Sequence, residues 1–130
     1  MSDFTIKNLL DVKDLGPGHQ LDGVLEGRFA RQDLGCQAIG ISHQRVKPNQ
    51  SIPFSHSHAQ SEEVYVILSG SGRVLLGDEV RDVRPLDAIR VAPSVVRTFA
   101  GGPDGLEFVA FGQHVEGDSE MGEPAWPDAQ

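Results

Sequence analysis

The feature that most constrains the fold is a series of short segments in which apolar and polar residues alternate. In "CQAIGISHQRVKP", Ile39, Ile41 and His43 lie on one face of an extended chain, because side chains two apart on a strand point the same way. The segment "EVYVILSG" is β-branched, aromatic and apolar on both faces, which is typical of a strand covered on both sides. The chain is therefore expected to consist mainly of β-strands.

Turn-forming residues separate these segments at short intervals. The stretch "GRVLLGDEVRDV" is predicted to form two strands joined by a turn near residues 77–79. The stretch "GGPDG" is predicted to turn the chain between the strands "VVRTF" and "LEFVAFG". With 15 glycines and 8 prolines, the chain has too many turn formers for a helical bundle. Short strands with regular turn signals indicate an all-β sandwich or barrel.

The 130 residues fit one compact domain with three parts. Residues 1–20 are expected to form an N-terminal arm, residues 21–114 the barrel, and residues 115–130 a C-terminal tail. Within the arm, residues 5–14 fit either a short helix or an edge strand. The tail is acidic and rich in Pro and Gly, so no regular structure is expected there. Trp126 is expected to dock on the barrel or on a second subunit.

Charge and cysteine content argue against several partners and compartments. The formal net charge of -8 argues against nucleic acid or an anionic membrane surface as the main partner. Cys36 is the only cysteine, so no disulfide can form within the chain and a reducing compartment is expected. The N-terminus lacks the apolar core of a signal peptide, and the longest apolar run, Val64 to Leu68, is too short to span a bilayer. We expect a cytoplasmic protein.

Two histidines continue an apolar alternation in "IPFSHSH". Ile52, Phe54, His56 and His58 share one face of a strand. Because the first two are apolar, that face is expected to point into the interior and to carry both imidazoles with it. A buried neutral histidine must find partners for its ring nitrogens, and a metal ion is a common one.

The next predicted strand offers a carboxylate. Glu63, Tyr65 and Ile67 share a face, and if this face is inward, the carboxylate arrives beside His56 and His58. Two histidines and one carboxylate leave coordination positions open, as in the facial triad of Fe(II) oxygenases. Tyr65 is a candidate general acid or hydrogen-bond donor to substrate, or a tyrosine that only packs the barrel. Taken alone, HxH or a glutamate pair in an acidic protein is a weak signal.

The complete spacing is more specific: HxH, four residues, Glu63, six residues and Gly70. In this spacing the sequence resembles the first signature of the cupin superfamily, over roughly residues 46–112. The resemblance implies a double-stranded β-helix, a jelly-roll barrel with its site in the interior. It also implies a divalent metal ion, such as Fe, Mn, Ni or Zn, held by His56, His58 and Glu63.

The resemblance is incomplete in the second cupin signature, which here corresponds to "LDAIRVAPSVVRTF". Leu86 and Ser94 stand where that signature has glycines, and Gln50 replaces a glycine of the first signature. Arg97 stands where the family has a final histidine, which is normally the fourth ligand. Arginine stays protonated and has no lone pair to offer a metal.

Three roles are open for Arg97. In the favoured one, the other three residues hold the metal while Arg97 swings aside to bind a substrate carboxylate or phosphate. In the second, Arg97 pairs with Glu63, which takes that carboxylate from the metal and makes a structural ion pair in an empty barrel. In the third, His43 or Gln60 supplies the missing ligand.

Functions of different classes follow from the resemblance, because one fold hosts many reactions. The first is a metal-dependent enzyme acting on a small anionic metabolite by oxygenation, isomerisation or decarboxylation, with Arg97 and Tyr65 as candidate catalytic residues. The second is a barrel that binds a small molecule, such as a sugar or a carboxylate, without turnover. The third is a metal-free structural dimer. A jelly roll leaves sheet edges that subunits commonly pair, so a homodimer is expected.

Overall fold

The computed structural model describes residues 3–127, which form a double-stranded β-helix, as predicted. The strands are β1 Leu25–Phe29, β2 Ile39–Val46, β3 Ser55–His58, β4 Glu63–Leu76, β5 Glu79–Val83, β6 Ala88–Val91, β7 Arg97–Gln113 and β8 Ser119–Gly122. The helical segments are single turns: Leu9–Asp11, Pro17–His19 and Arg31–Leu34. In this part of the chain, no helix has the length and apolar character needed to cross a membrane.

The strands form one curled antiparallel sheet around the interior. Its main path runs β1-β2-β7-β3-β8, with β4 paired to β7 and both β5 and β6 paired to β4. The long strand β7 is central, because it pairs with β2, β3 and β4. The β3–β7 contact sets His56 opposite Arg97.

Strands β4 and β7 are longer than the sequence pattern predicted. The turn expected at residues 77–79 joins β4 to β5, which confirms that prediction. The turn expected at "GGPDG" does not reverse the chain, so that prediction is wrong. Instead β7 follows β4 on both sides of this segment, with register shifts near Gly70. Pairing to one long partner keeps both halves of β7 in the same sheet, and the extra residues form an irregularity that bends it.

Gly70 makes this bend possible. Its φ is +86°, and a Cβ atom at this position would lie 2.1 Å from the carbonyl oxygen of Gly105. Both the left-handed backbone and the close approach of β7 require a residue without a side chain. Gly70, the last residue of the first signature, therefore allows β4 and β7 to pack closely.

Aromatic side chains fill the interior of the sheet. Phe99 and Phe108 stack with ring centroids 4.4 Å apart, and Tyr65 lies 4.9 and 5.7 Å from them. Tyr65 and Ile67 are buried, so the Glu63 face of β4 is the inward one. The cavity that remains beside these rings measures about 30 Å³.

The C-terminal tail adds a strand to the sheet. β8 pairs with β3, with Met121 opposite His56 and Ser119 opposite His58. The prediction that the tail lacks regular structure is therefore wrong for this segment, because the free edge of β3 offers hydrogen-bonding groups that a short polar segment can use. Trp126 docks on the chain's own barrel, where the Arg73 guanidinium lies 5.1 Å from its ring centroid.

Candidate metal site

Three side chains of metal-ligand type meet inside the curled sheet. His56 and His58 alternate along β3, and Glu63 is the first residue of β4. The Nε2 atoms of His56 and His58 lie 3.5 and 3.7 Å from Oε1 of Glu63. The potential ligand atoms of the three residues all lie within 4.8 Å of one another. The structure thus brings together the residues that the alternation pattern predicted to converge.

The start of β4 is held close to β7 by a glycine. Gly112 stands opposite Glu63 in the β4–β7 pair. A Cβ atom on Gly112 would lie 2.2 Å from the carbonyl oxygen of Glu62 and 3.2 Å from Cα of Glu63. A larger residue would push the start of β4 outward, and the carboxylate would move away from the imidazoles.

His58 has one ring nitrogen engaged and one without a partner. Its Nδ1 lies 3.3 Å from Oδ2 of Asp118, whereas its Nε2 is buried without a hydrogen-bond partner among the described residues. Burial lowers the pKa of the His58 imidazole; Arg97 and His56 add to this effect, and Glu63 and Asp118 oppose it. A neutral imidazole with a bare nitrogen beside a carboxylate has the chemistry of a metal ligand.

The carboxylate of Glu63 is held in its ionised form. The Tyr65 hydroxyl donates to its Oε1 at 2.5 Å, and Nη2 of Arg97 donates to the same atom at 3.3 Å. Burial acts to raise the pKa of Glu63, but the hydrogen bonds from His56 and Tyr65 and the charges of His56 and Arg97 outweigh it and lower the pKa to about 2. Metal ligands must be deprotonated, and Glu63 meets this condition.

Arg97 is completely buried and is anchored on several sides. Its Nε donates to the Tyr65 hydroxyl at 3.2 Å, and its Nη1 donates to the carbonyls of Pro93 at 3.2 Å and Val95 at 2.7 Å. Arg97 also contacts Glu63, so the ion pair of the second role is present, whereas the empty barrel of that role stays a prediction. The favoured role required the guanidinium to swing aside towards a substrate, which is not the arrangement observed. Burial raises the pKa of Tyr65, so its hydroxyl stays a donor.

The side chains considered as replacement ligands lie elsewhere. Nε2 of His43 lies 2.6 Å from Oε2 of Glu107, and His43 is not part of the histidine–glutamate group, so the third role is wrong for His43. Gln60 is exposed, and its role as a replacement ligand stays a prediction. Gln44, the neighbour of His43 on the opposite face of β2, lines the interior cavity instead. The alternation in β2 could have identified Gln44 as an inward residue, because Gln44 lies on the same face as Ser42 and on the opposite face from His43.

Asp118 belongs to the site, although the sequence analysis did not single it out. Its carboxylate accepts hydrogen bonds from the backbone N–H groups of Ala59, Gln60 and Ser61 as well as facing His58. It precedes β8 in the segment predicted to be irregular, far from His58 along the chain. No local spacing pattern signals such a contact, because only the pairing of β8 with β3 creates it.

Comparisons with known proteins agree with this fold. The family model described as "Cupin domain" matches residues 42–110, which is more than half of the chain. No curated protein sequence matches the chain. Similar solved structures include a cupin protein from Bacteroides fragilis, with 21% identity, a TM-score of 0.72 and coverage of 90% of this chain and 89% of that one.

Two further structures cover nearly the whole chain. The polyketide cyclase RemF from Streptomyces resistomycificus has 19% identity and a TM-score of 0.73, with coverage of 95% of this chain and 87% of that one. A conserved uncharacterised protein with a double-stranded β-helix domain from Klebsiella pneumoniae has 18% identity and a TM-score of 0.73, with coverage of 95% and 100%. At these identities the likeness establishes the fold alone.

Proposed function

The chain belongs to the cupin domain family, and from this premise we propose that it binds a divalent transition-metal ion through His56, His58 and Glu63 and holds or transforms a small anionic molecule there. The observation that carries this proposal is the buried Nε2 of His58, which has no hydrogen-bond partner in the described part of the chain and lies 3.7 Å from Oε1 of Glu63. A buried polar atom left unpaired costs about 1–3 kcal/mol. A metal ion between these atoms would remove that cost.

The donor set suits iron, manganese, nickel or zinc. Two imidazoles and one carboxylate are ligands for these ions, whereas calcium and magnesium prefer sites made of oxygen atoms. The histidine nitrogens lie 3.5 and 3.7 Å from the Glu63 oxygen. Ligands bound at about 2.0–2.2 Å stand roughly 3–3.5 Å apart, so these two histidine–carboxylate distances need only a small contraction.

Other buried side chains orient the Glu63 ligand and keep it ionised. A bound ion would supply a Lewis acid with open coordination positions. Tyr65 and Arg97 orient the Glu63 carboxylate and keep it ionised through their hydrogen bonds. The positive charges of Arg97 and a divalent ion outnumber the negative charges of Glu63 and Asp118, and this excess favours an anionic oxygen ligand, such as a carboxylate or an enolate. In this proposal Arg97 attracts the bound anionic molecule through its positive charge.

A small cavity lies beside His56 in the interior of the sheet. The cavity of about 30 Å³ is lined by His56, Tyr65 and Arg97 together with the aromatic rings of Phe99 and Phe108. We expect small carboxylates to be bound in preference to sugars, because the positive charge of Arg97 lines this cavity and favours an anionic group. The presence of a polyketide cyclase among the similar structures supports an enzymatic role.

Metal content tests the proposal directly. The protein is purified without a histidine tag, incubated with Fe(II), Mn(II), Ni(II) or Zn(II), dialysed and analysed for bound metal. We expect about one equivalent in the wild type and a loss of at least about tenfold in affinity for Glu63→Gln. The matched control is Glu62→Gln, because Glu62 is adjacent, exposed and paired with Arg90 on the outside of the sheet.

The outcomes are distinct. Equal metal binding by Glu63→Gln and Glu62→Gln would show that the carboxylate is not a ligand. Less than about a tenth of an equivalent with every ion, in a folded wild type, would sink the metal proposal.

A non-catalytic barrel is the second candidate function. The observation that favours it is the anchoring of Arg97, which is completely buried and donates to Tyr65, Glu63 and two backbone carbonyls. A side chain held by this many hydrogen bonds is rigid, and the aromatic rings leave little room in the interior for a molecule to react. Turnover of a panel of small carboxylates, measured with and without metal, separates the two functions, since binding without any turnover supports the second.

A further inference from the structure

Asp118 links the C-terminal segment to the candidate metal site. It lies directly before β8, whose pairing with β3 places Ser119 opposite His58. The side chain of Asp118 is 3% exposed, and its Oδ2 lies 3.3 Å from Nδ1 of His58. A buried carboxylate beside the ring nitrogen that points away from the Glu63 cluster is placed to control how the imidazole presents its other nitrogen.

The same carboxylate organises the connection between the ligand strands. Its Oδ1 accepts the N–H groups of Ala59 at 3.0 Å and Gln60 at 2.8 Å, and its Oδ2 accepts that of Ser61 at 3.0 Å. These residues connect His58 on β3 to the start of β4. Asp118 therefore fixes the loop whose two ends carry a histidine and the glutamate of the candidate site.

Hydrogen-bond chemistry decides which tautomer this arrangement favours. The hydrogen bond that the structure gives to Nδ1 of His58 is the one with the Ser119 hydroxyl at 3.4 Å, and the Asp118 carboxylate faces the same nitrogen at 3.3 Å as an ion-pair contact. An ionised carboxylate has only acceptor atoms, so Asp118 favours the tautomer in which Nδ1 carries the proton. The bare Nε2 then points at Oε1 of Glu63, 3.7 Å away. Histidines that bind metals commonly donate their other N–H to a carboxylate in this manner.

We propose that Asp118 is a positioning residue that holds His58 in the Nδ1–H tautomer, with Nε2 free to bind a metal ion. The part that concerns metal rests on the function proposed above, whereas the tautomer is a property of the protein alone. The C-terminal segment is then part of the functional site, and it contributes no ligand of its own.

Ser119 is the competing partner and supplies a matched control. Its hydroxyl lies 3.4 Å from the same Nδ1 of His58, and a hydroxyl can either donate or accept. If Ser119 donated to Nδ1, His58 would be the opposite tautomer. The Ser119→Ala variant removes this partner and leaves Asp118 in place.

The first measurement needs no metal. Long-range proton–nitrogen NMR correlations of the 15N-labelled full chain, recorded above the pKa of the imidazole, distinguish Nδ1–H from Nε2–H for His58. We expect Nδ1–H in the wild type and in Ser119→Ala. We expect a shift towards Nε2–H in Asp118→Asn, because an amide can donate to Nδ1. A wild-type His58 found as Nε2–H overturns the proposal even if no variant folds.

The second measurement is metal affinity, by competition with a chromophoric chelator for Zn(II). We expect Asp118→Asn to bind about 10–100-fold more weakly than the wild type, and Ser119→Ala to bind equally well. If Asp118→Asn is folded and keeps both the tautomer and the affinity, the proposal is wrong. If neither protein binds metal but the tautomer shifts as expected, the positioning role stands and the metal function fails.

Discussion

Arg97 occupies the β7 position opposite His56, where the cupin pattern has a histidine. A buried guanidinium is costly unless every side of it is paired, and here Glu63, Tyr65 and two backbone carbonyls pair it. One substitution thus exchanges a ligand for a fixed positive charge. The remaining three residues keep the ligand chemistry, and the charge strengthens the preference for anions.

A residue-scale prediction follows for Arg97→His. The imidazole would stand opposite His56 and add a fourth donor, so we expect metal to bind at least about tenfold more tightly, or about 1.4 kcal/mol. The control is Arg97→Leu, which also removes the positive charge but adds no ligand. Competition titrations of both variants give the comparison, with circular dichroism to check folding. Equal affinities of the two variants would mean that the fourth ligand position is not available.

Leu86 shows the cost of another departure from the pattern. It replaces a glycine of the second signature and adopts a φ of +74°, while its side chain is 82% exposed. A left-handed conformation costs an ordinary residue roughly 1–2 kcal/mol. The turn between β5 and β6 therefore keeps the shape that glycine would adopt freely.

At the scale of the elements, Glu107 joins three strands on the outside of the sheet. From β7 it accepts hydrogen bonds from Arg45 on β2 at 3.1 Å and Ser69 on β4 at 2.8 Å, and it lies 2.6 Å from Nε2 of His43 on β2. Burial acts to raise the pKa of Glu107, but the hydrogen bonds from these neighbours outweigh it and lower the pKa below its usual value of 4.5. The folded state therefore favours the ionised carboxylate.

The pH dependence of stability follows from this shift. Because the folded-state pKa is the lower one, the stabilisation is fully present above about pH 4.5 and is lost as the pH falls through the folded-state pKa. We expect the free energy of unfolding to decrease over this acid range, and to decrease less steeply in Glu107→Gln. Urea titrations at several pH values provide the measurement. Glu79→Gln, in the exposed β5 hairpin, serves as the control for the removal of one carboxylate at another position.

At the scale of the whole molecule, the outer face of β4 is apolar and uncovered by the described residues. Val64 and Val66 are half-buried, and Leu68 and Phe111 are exposed. Phe111 stands between Ile41 on β2 and Val64 on β4 in the paired strands. The segment "EVYVILSG" predicted a strand covered on both sides, and the barrel covers only its inner side.

A second copy of the chain is the partner that this outer face suits. Its apolar centre carries no charge, and at its edge Arg90 pairs with Glu62, so two copies of the face can meet without like-charge repulsion. In a two-fold dimer each patch contacts itself. We therefore expect a homodimer that buries the outer face of β4 and β7.

Light scattering coupled to size-exclusion chromatography tests this expectation. The wild type should elute with twice the mass of one chain, and Leu68→Glu should shift it to one chain, because the symmetry applies each substitution twice. Leu10→Glu is the control, since Leu10 is exposed in the N-terminal arm and lies outside the patch. A monomeric wild type at the highest soluble concentration would contradict the dimer.

A period of two is a local property of an extended chain, so the sequence alone showed that His56 and His58 share a face and that Glu63 and Tyr65 share another. It predicted the histidine face to be interior, because Ile52 and Phe54 belong to it, and left the Glu63 face conditional. The spacing that ends at Gly70 was equally informative, because the glycine satisfies a backbone conformation that few other residues adopt. Fold family and candidate ligands could therefore be read from one stretch of chain.

The neighbours of these side chains depend on how the strands pair. The passage of β7 through "GGPDG", the anchoring of Arg97 by Glu63 and Tyr65, and the arrival of Asp118 at His58 all depend on which strands pair. Strand pairing joins residues that are distant in sequence, and its register depends on how the whole sheet curls. Alternation predicts which residues share a face of a strand. The residues that this face contacts are set when the sheet curls and its strands pair.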